Sequence, residues 1–193
     1  MAGRAQPTVV KAKARTRPSG SLIAIDGVNG RVLLRTAAKL ASKTRHDRPG
    51  VSAWDASGIF GELEASDPDV ERPSARTLML LYAADLAFRI RWEIAPALAE
   101  GRTVIAAPYI DTALALGRAM GLNEPWLRTI FEFAPSANER RYVDDVTQLN
   151  AAGPGLVECA CRVLAGMEKR SERQDLVTRV QTRLKATRHR GNK

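Results

Sequence analysis

Cysteine and histidine are scarce in this chain, with two of each among 193 residues. Cys159 and Cys161 are separated by a single residue, whereas redox and zinc motifs place two residues between their cysteines. His46 and His189 lie far apart in the chain and have no companion ligand pattern. The sequence therefore predicts neither a disulfide framework nor a metal site.

Long hydrophobic runs are also missing, and aromatic residues make up only 5% of the chain. No apolar run approaches the roughly 18 residues that a membrane-spanning helix needs, which excludes an integral membrane protein. Hydrophobic residues account for 45% and charged residues for 26%, as in soluble globular proteins. The length suits one domain with a sizeable core.

The net charge of +9 is concentrated at the two ends of the chain. Residues 1–20 carry +5 and residues 169–193 carry +7, which leaves −3 for residues 21–168. We interpret residues 1–20 as a disordered basic tail, residues 21–168 as the folded domain and residues 169–193 as a basic C-terminal helix and tail. The first tail lacks the apolar stretch of a secretory signal, so we expect a cytoplasmic protein.

Strand and helix patterns alternate along the domain, with short apolar runs between segments of helical periodicity. The patterns predict strands at 21–26, 51–54, 102–109 and 128–133, and helices at 31–45, 75–94, 111–121, 137–150, 155–169 and 171–188. Ser74 stands where the N-cap of the second of these helices belongs. Alternating elements with nearly continuous apolar strands predict an α/β fold with a parallel sheet covered by helices on both faces.

The first strand is followed by a Gly-Val-Asn-Gly turn and a helix. A strand, glycine turn and helix start is where a P-loop protein holds phosphate, because backbone N–H groups and the helix N-terminus face the anion there. Gly27, Asn29 and Gly30 are therefore candidate nucleotide-binding residues. The alternative is a plain tight turn between a strand and a helix.

Residues 73–115 resemble the central segment of bacterial thymidylate kinases. The helix contains Leu-Leu-Tyr-Ala-Ala-Asp, and it leads through Ile-Ala-Pro-Ala-Leu into a strand that ends in Ala-Pro-Tyr. With the opening LIAIDGVNG, the resemblance extends over residues 21 to about 141. It implies a P-loop NTPase-like fold, phosphate transfer from ATP to dTMP with Mg²⁺, and a homodimer joined through the helix at 75–95.

The candidate phosphate loop departs from the family pattern at its functional positions. Val32, Leu33 and Leu34 stand where the family has Gly, Lys and Ser or Thr. Leu33 brings no charge to the phosphates, and Leu34 brings no hydroxyl to Mg²⁺. Arg31 is a possible substitute cation and joins the candidate nucleotide-binding residues. Arg31 and Asp26 are the candidate catalytic residues.

Other charged residues of the family are replaced as well. The strand-end Asp-Arg-Tyr reads Ala107, Pro108 and Tyr109, and Leu86 replaces an arginine that contacts monophosphate in the family. An arginine-rich lid is also missing, because we expect the Arg-Arg pair at 140–141 to end a short helix. Several preorganised charges are thus lost together, and each is typically worth a factor of about 10² to 10³ in rate.

Six polar residues remain that could act near the carboxyl ends of the strands, where α/β sheets bind ligands. They are Asp26, Asn29, Asp55, Asp85, Tyr109 and Asp111. Each has a structural alternative: Asp26 as a turn or capping carboxylate, Asp85 as an ion-pair partner of Arg89, and Tyr109 as a core residue. Tyr109 and Asp111 complete the candidate nucleotide-binding set.

Three functions follow as hypotheses. The first is a catalytically inactive thymidylate kinase-like protein that acts by self-association or partner binding. The second is an active dTMP kinase that uses ATP and Mg²⁺. The third places the function in the basic tails, which would neutralise phosphates of a nucleic acid or bind an acidic partner, unless they serve only solubility.

Overall fold

The computed structural model describes residues 20–43, 49–66, 72–144 and 153–191. Its elements are β1 (Ser21–Gly27), α1 (Gly30–Lys43), β2 (Gly50–Ala53), α2 (Ile59–Ala65), α3 (Ala75–Arg89), a π-helical turn (Ile90–Ile94), α4 (Ala95–Ala99), β3 (Thr103–Ala107), α5 (Ile110–Ala119), α6 (Glu124–Ile130), β4 (Glu139–Val143), α7 (Leu156–Val163) and α8 (Arg170–Gly191). Of the tail predicted at residues 1–20, residues 1–19 lie outside this description.

The four strands form one parallel sheet in the order β2-β3-β1-β4. Side chains of β1 alternate between its two faces, as expected for a strand. Ala24 points into the larger core, whereas Ile25 packs with Leu33 and Ala37 of α1. Helices therefore cover both faces of the sheet, which confirms the predicted α/β architecture.

The larger core draws on the helices that follow β2, including the basic C-terminal helix α8. Leu176, Val177 and Val180 of α8 are buried, and the helix packs chiefly against α5. The helix predicted at 171–188 is thus present, and its apolar side belongs to the folded body. Among the described residues, no helix combines the length and the hydrophobicity needed to cross a membrane.

The fourth strand lies elsewhere than predicted. Residues 128–133 do not form a strand, because α6 extends to Ile130 and is followed by a turn. Asn123 caps this helix by accepting a hydrogen bond from the Trp126 N–H at 3.1 Å, and Pro125 occupies its first turn. Asn at the N-cap and Pro in the first turn are typical helix starts, and they outweigh the apolar pattern of the segment.

The helix predicted at 137–150 is also wrong where the structure describes it. Residues 139–143 form β4, which lies at the edge of the sheet beside β1, and residues 145–150 lie outside the described part. The Arg-Arg pair at 140–141 therefore belongs to a strand and does not end a helix. An edge strand can expose polar side chains, so its sequence lacks the apolar run that marks a buried strand.

Helix α3 begins as predicted. The Ser74 hydroxyl accepts a hydrogen bond from the Thr77 N–H at 3.1 Å. One side of α3 is buried through residues such as Leu78 and Tyr82. Another side of α3 exposes the apolar side chains of Leu80 and Phe88.

Candidate functional site

The turn between β1 and α1 is short. Only Val28 and Asn29 separate the end of β1 at Gly27 from the start of α1 at Gly30. Asn29 acts as the cap of α1, because its side-chain oxygen accepts a hydrogen bond from the Val32 N–H at 3.2 Å. The segment is therefore a tight, capped turn, without the longer loop that wraps a phosphate.

The N-terminus of α1 faces a carboxylate of the chain itself. The Gly30 N–H donates a hydrogen bond of 3.0 Å to Oε2 of Glu158, which is 1% exposed. Burial raises the pKa of Glu158, while this hydrogen bond and the positive charges of Arg162 and Arg31 lower it. Glu158 thus lies where a P-loop protein places a phosphate.

The backbone before α7 fills the remaining space at Gly30. A Cβ on Gly30 would collide with the carbonyl of Pro154, and a Cβ on Gly155 would lie 2.8 Å from the Cα of Gly30. Only glycine at both positions allows this approach. We call the arrangement of residues 27–30, Pro154, Gly155 and Glu158 the closed turn.

Leu33, at the position of the family's lysine, and Arg31, the possible substitute cation, point away from one another. Leu33 is 2% exposed and packs in the smaller core with Ile25 and Ile105. Arg31 is exposed on the first turn of α1. The helix therefore offers one solvent-facing cation beside Glu158, and none at the position of the family's lysine.

Asp26 is buried at the carboxyl end of β1 and fixes the start of α5. Its Oδ1 accepts hydrogen bonds from the Tyr109 N–H at 3.0 Å, the Thr112 N–H at 2.9 Å and the Thr112 hydroxyl at 2.8 Å. Burial raises the pKa of Asp26 to about 6, and the negative charge of Asp111 adds to this rise. The contacts are those of a capping carboxylate, the structural alternative predicted from the sequence.

Asp111 is held by two side chains of β4. Its Oδ2 accepts a hydrogen bond from Arg140 Nη1 at 2.7 Å and one from the Tyr142 hydroxyl at 2.6 Å. The carboxylate is 5% exposed, whereas the Arg140 side chain is 43% exposed. Burial and the hydrogen bond to Asp111 both raise the pKa of Tyr142. This ion pair joins α5 to the edge strand.

The two tyrosines near the end of β3 hydrogen-bond to backbone carbonyls. The Tyr109 hydroxyl donates to the Pro135 carbonyl at 2.6 Å, and the Tyr82 hydroxyl donates to the Tyr109 carbonyl at 2.8 Å. Burial raises the pKa of Tyr109 to about 12. Both rings lie fully within the core, and their hydroxyls position the loops that follow β3 and α6.

Arg89 is completely buried beneath the carboxyl ends of β2 and β3. Its Nε donates to the Ser52 hydroxyl at 3.0 Å, and its Nη2 donates to the carbonyls of Ser52 at 2.8 Å and Pro108 at 3.0 Å. Its Nη1 lies 3.9 Å from Oδ2 of Asp85, which confirms the predicted pair. Arg89 thereby ties three elements together.

Asp85 and Asp55 organise the segment after β2. The carboxylate of Asp85 accepts hydrogen bonds from the Asp55 N–H at 3.1 Å, the Ser57 N–H at 3.0 Å and the Ser57 hydroxyl at 2.8 Å. Asp55 in turn accepts from the Phe60 N–H at 2.8 Å and the Gly61 N–H at 3.0 Å at the start of α2. These carboxylates bind their own chain.

The structure brings together most of the residues that the sequence singled out. Asp26 and Gly27 end β1, Gly30 begins α1, and Tyr109 and Asp111 follow β3. All lie at the edge where ligands bind in α/β sheets. Their roles in nucleotide binding or catalysis stay predictions. Within the described ranges, no group of three His, Cys, Asp or Glu side chains is arranged to hold a metal ion.

Sequence reasoning missed the residues that close and brace this edge. They are Glu158, Thr112, Ser52, Arg89 in its bridging role, Arg140 and Tyr142. Glu158 carried a readable signal, because it is the one acidic residue in the otherwise apolar first turns of α7. The partners of the other residues are distant in sequence and could not be read from local patterns.

The chain has relatives among curated thymidylate kinases, although no family model matches it. A probable thymidylate kinase of Pyrococcus horikoshii is 41% identical over 73 residues, which cover 38% of this chain and 36% of the relative. A probable thymidylate kinase of Pyrobaculum aerophilum is 26% identical over 157 residues, which cover 77% of this chain and 73% of the relative. The match to the Pyrococcus protein thus spans just over a third of that protein's length.

The fold matches a solved thymidylate kinase. The enzyme of Ehrlichia chaffeensis superposes with a TM-score of 0.63 over 91% of this chain and 90% of that one, at 11% identity. At such low identity the match speaks for the fold alone. Together, the matches show that the chain is similar to thymidylate kinases over part of its sequence and has the P-loop NTPase-like α/β fold of a solved thymidylate kinase.

Proposed function

We propose that this protein is a thymidylate kinase-like pseudo-kinase that acts by self-association or partner binding. The observation that carries the proposal is the closed turn. A phosphate that approached the Gly30 N–H would have to displace the Glu158 carboxylate, which already accepts that hydrogen bond. It would also meet the backbone of Pro154 and Gly155.

The chemistry of the neighbouring positions supports the same proposal. Phosphoryl transfer depends on positioning and on neutralisation of charge at the phosphates. At the family's lysine position stands Leu33, a buried core residue. At the family's hydroxyl position stands Leu34, which offers Mg²⁺ no oxygen. Opening the closed turn would therefore not by itself restore a catalytic site.

A calorimetric titration tests this proposal. We expect no heat when the purified protein is titrated with ATP or with dTMP, each with Mg²⁺, up to millimolar concentration. We also expect no release of ADP above a blank when both nucleotides are present at high protein concentration. Binding in the micromolar range, about −8 kcal/mol, would overturn the closed-turn argument.

An active dTMP kinase is the second candidate, because the relatives are named thymidylate kinases. In that case turnover would depend on Arg31, the exposed cation on the first turn of α1. Arg31→Ala should then abolish ADP release, whereas Arg35→Ala, an exposed arginine on the same helix, should leave it unchanged. Turnover with this pattern would replace the pseudo-kinase proposal.

Self-association through α3 is supported by an exposed apolar stripe. Leu80, Phe88 and the following Trp92 are 50%, 40% and 65% exposed. They are spaced at multiples of four residues, so they follow one side of the helix. Large exposed apolar side chains in one stripe mark an interaction surface, and we propose a second copy of this chain as its partner.

Light scattering tests this interface. We expect a dimeric mass at micromolar concentration and a monomeric mass for Phe88→Glu. Phe133→Glu is the matched control, since Phe133 is 47% exposed but lies outside the stripe. A monomeric mass for the unaltered protein would refute the homodimer.

A third proposal is that the basic tails bind nucleic acid or an acidic partner. We also propose a cytoplasmic location. Helix α8 exposes the basic side chains of Arg170, Arg179, Lys185 and Arg188. Removal of α8 would also remove core residues such as Leu176, so the deletion test is applied to the N-terminal tail. If that tail binds nucleic acid, its deletion should weaken affinity, and affinity should fall steeply between about 50 and 200 mM salt.

A further inference from the structure

A cavity of about 490 Å³ lies between the first turn of α3, the end of α5, the segment after α7 and α8. Its lining includes Arg118, Arg179, Arg183, Met120, Leu164 and Met167. Its volume falls within the range of about 300 to 1,000 Å³ that is typical of small-molecule sites. We call it the arginine cavity.

Among the residues that the structure describes, the lining contains three arginines and no acidic residue. Arg118 forms an ion pair with Glu124, and Arg179 forms one of 3.0 Å with Asp175, so carboxylates outside the lining orient both guanidinium groups. Arg183 has no carboxylate partner in the described ranges. Within the described part of the chain, the three arginines therefore bring more positive charge to the cavity than their carboxylate partners neutralise.

The α8 side of the cavity follows from helical spacing. Leu176, Arg179 and Arg183 are three and four residues apart, which places them on one face of the helix. Leu176 is fully buried, whereas the Arg179 side chain is 45% exposed. On this face, Leu176 forms the buried apolar base of the cavity, and the guanidinium groups lie nearer the solvent.

The other walls are largely apolar. Met120 comes from the end of α5, and Leu164 and Met167 come from the segment that follows α7. Methionine side chains adapt to flat or irregular apolar surfaces. The cavity therefore combines a contact surface for an apolar body with donors suited to an anionic head.

We infer that the arginine cavity binds a small phosphate monoester with an apolar or aromatic body. Guanidinium groups match phosphate because they donate two parallel hydrogen bonds from a planar fork. The phosphate lies against Arg179 and Arg183, and the organic part lies against Met120, Leu164 and Met167. This site shares no residue with the closed turn, so it stands independently of the function proposed above.

Calorimetric titration with three probes tests the site: phenyl phosphate, inorganic phosphate and phenol. We expect phenyl phosphate to saturate one site with a dissociation constant below about 1 mM. Inorganic phosphate should bind at least about fivefold more weakly, because it lacks the apolar part, and phenol should give no saturable binding. Absence of saturable phenyl phosphate binding would overturn the inference.

Three variants locate the binding. Arg183→Ala should weaken phenyl phosphate binding about tenfold or more. Ala165→Trp should also weaken it, because the added ring fills the cavity without changing its charge. Lys185→Ala is the matched control, an equal loss of charge at an exposed position of the same helix, and should change affinity less than twofold. Equal losses in Arg183→Ala and Lys185→Ala, or unchanged binding in Ala165→Trp, would refute the site.

Discussion

At the carboxyl edge of the sheet, the charged side chains of Asp26, Arg89 and Glu158 are buried against groups of the chain itself, whereas the arginines of the arginine cavity reach solvent. The edge holds the polar groups that a ligand would need, but each already has a partner within the protein. In the cavity, three arginines are described and only two of them, Arg118 and Arg179, pair with a described carboxylate. Buried polar groups with partners inside the protein stabilise the fold, whereas a charged side chain without such a partner is available to a ligand.

Replacement of Arg89 should produce the largest loss of stability. Arg89→Met leaves the buried oxygens of Ser52 and Pro108 without their donor and the Asp85 carboxylate without its nearest cation. Removal of one partner from a buried ion pair costs about 3 to 5 kcal/mol. Urea unfolding at pH 7 measures this loss in the free energy of unfolding.

Arg91→Met is the matched control for Arg89, because Arg91 lies two residues later on the exposed surface, over the ring of Trp92. It should lower the free energy of unfolding by less than about 1 kcal/mol. Equal losses in the two variants would contradict the bracing role of Arg89.

Asp26 should make stability depend on pH. Its pKa in the folded protein is about 6, above the ordinary value of 3.8, so its contribution is fully present below about pH 4 and is lost as pH rises through 6. The shift corresponds to at most about 3 kcal/mol. Asp26→Asn should remove this loss and be more stable than the unaltered protein at pH 7.

Urea unfolding at a series of pH values from 4 to 7 measures the effect of Asp26 as the difference between the two proteins. Glu62→Gln, an exposed acid in α2, is the control and should follow the curve of the unaltered protein. A constant difference between Asp26→Asn and the unaltered protein across this range would show that Asp26 has an ordinary pKa.

Gly30→Ala tests whether the closed turn is closed. The added methyl group would collide with the carbonyl of Pro154. Forcing an extra carbon into a packed position costs about 1 to 3 kcal/mol, measured as free energy of unfolding in urea. Gly50→Ala is the matched control, since a Cβ there meets nothing within 4 Å. If both variants are equally stable, the segment 154–155 does not fill the turn and nucleotide binding there becomes possible.

The sequence was sufficient for the parts of the fold that local chemistry determines. Apolar runs identified β1 and β3, and the serine before Ala75 marked the start of α3. It was insufficient for β4, because an edge strand with exposed charges resembles a loop or a helix surface, while the apolar segment at 128–133 resembled a strand. Whether a segment forms an edge strand depends on where it lies in the sheet, and the sequence of that segment alone does not show this.

Only one of the two features of the closed turn could be predicted from the sequence. The loss of the family's lysine and hydroxyl was readable at Leu33 and Leu34, and it indicated a disabled phosphate loop. The group that fills the space could not be found, because Gly30 and Glu158 are separated by 128 positions and meet only through tertiary packing. Similarly, the arginines of α8 were visible as a basic segment, but the cavity that they line depends on how α8 packs beside α5.

Arg183→Ala should leave stability almost unchanged, which is the smallest of these effects. The Arg183 side chain is only partly buried and has no carboxylate partner in the part of the chain that the structure describes, so its removal strands no buried group. Surface substitutions of this kind stay within about 0.5 kcal/mol. Urea unfolding should therefore give the same free energy for Arg183→Ala and Lys185→Ala, while their phenyl phosphate affinities differ about tenfold. A loss of 2 kcal/mol or more in Arg183→Ala alone would place Arg183 with Arg89 as a structural arginine, and the contrast between the two regions would fail.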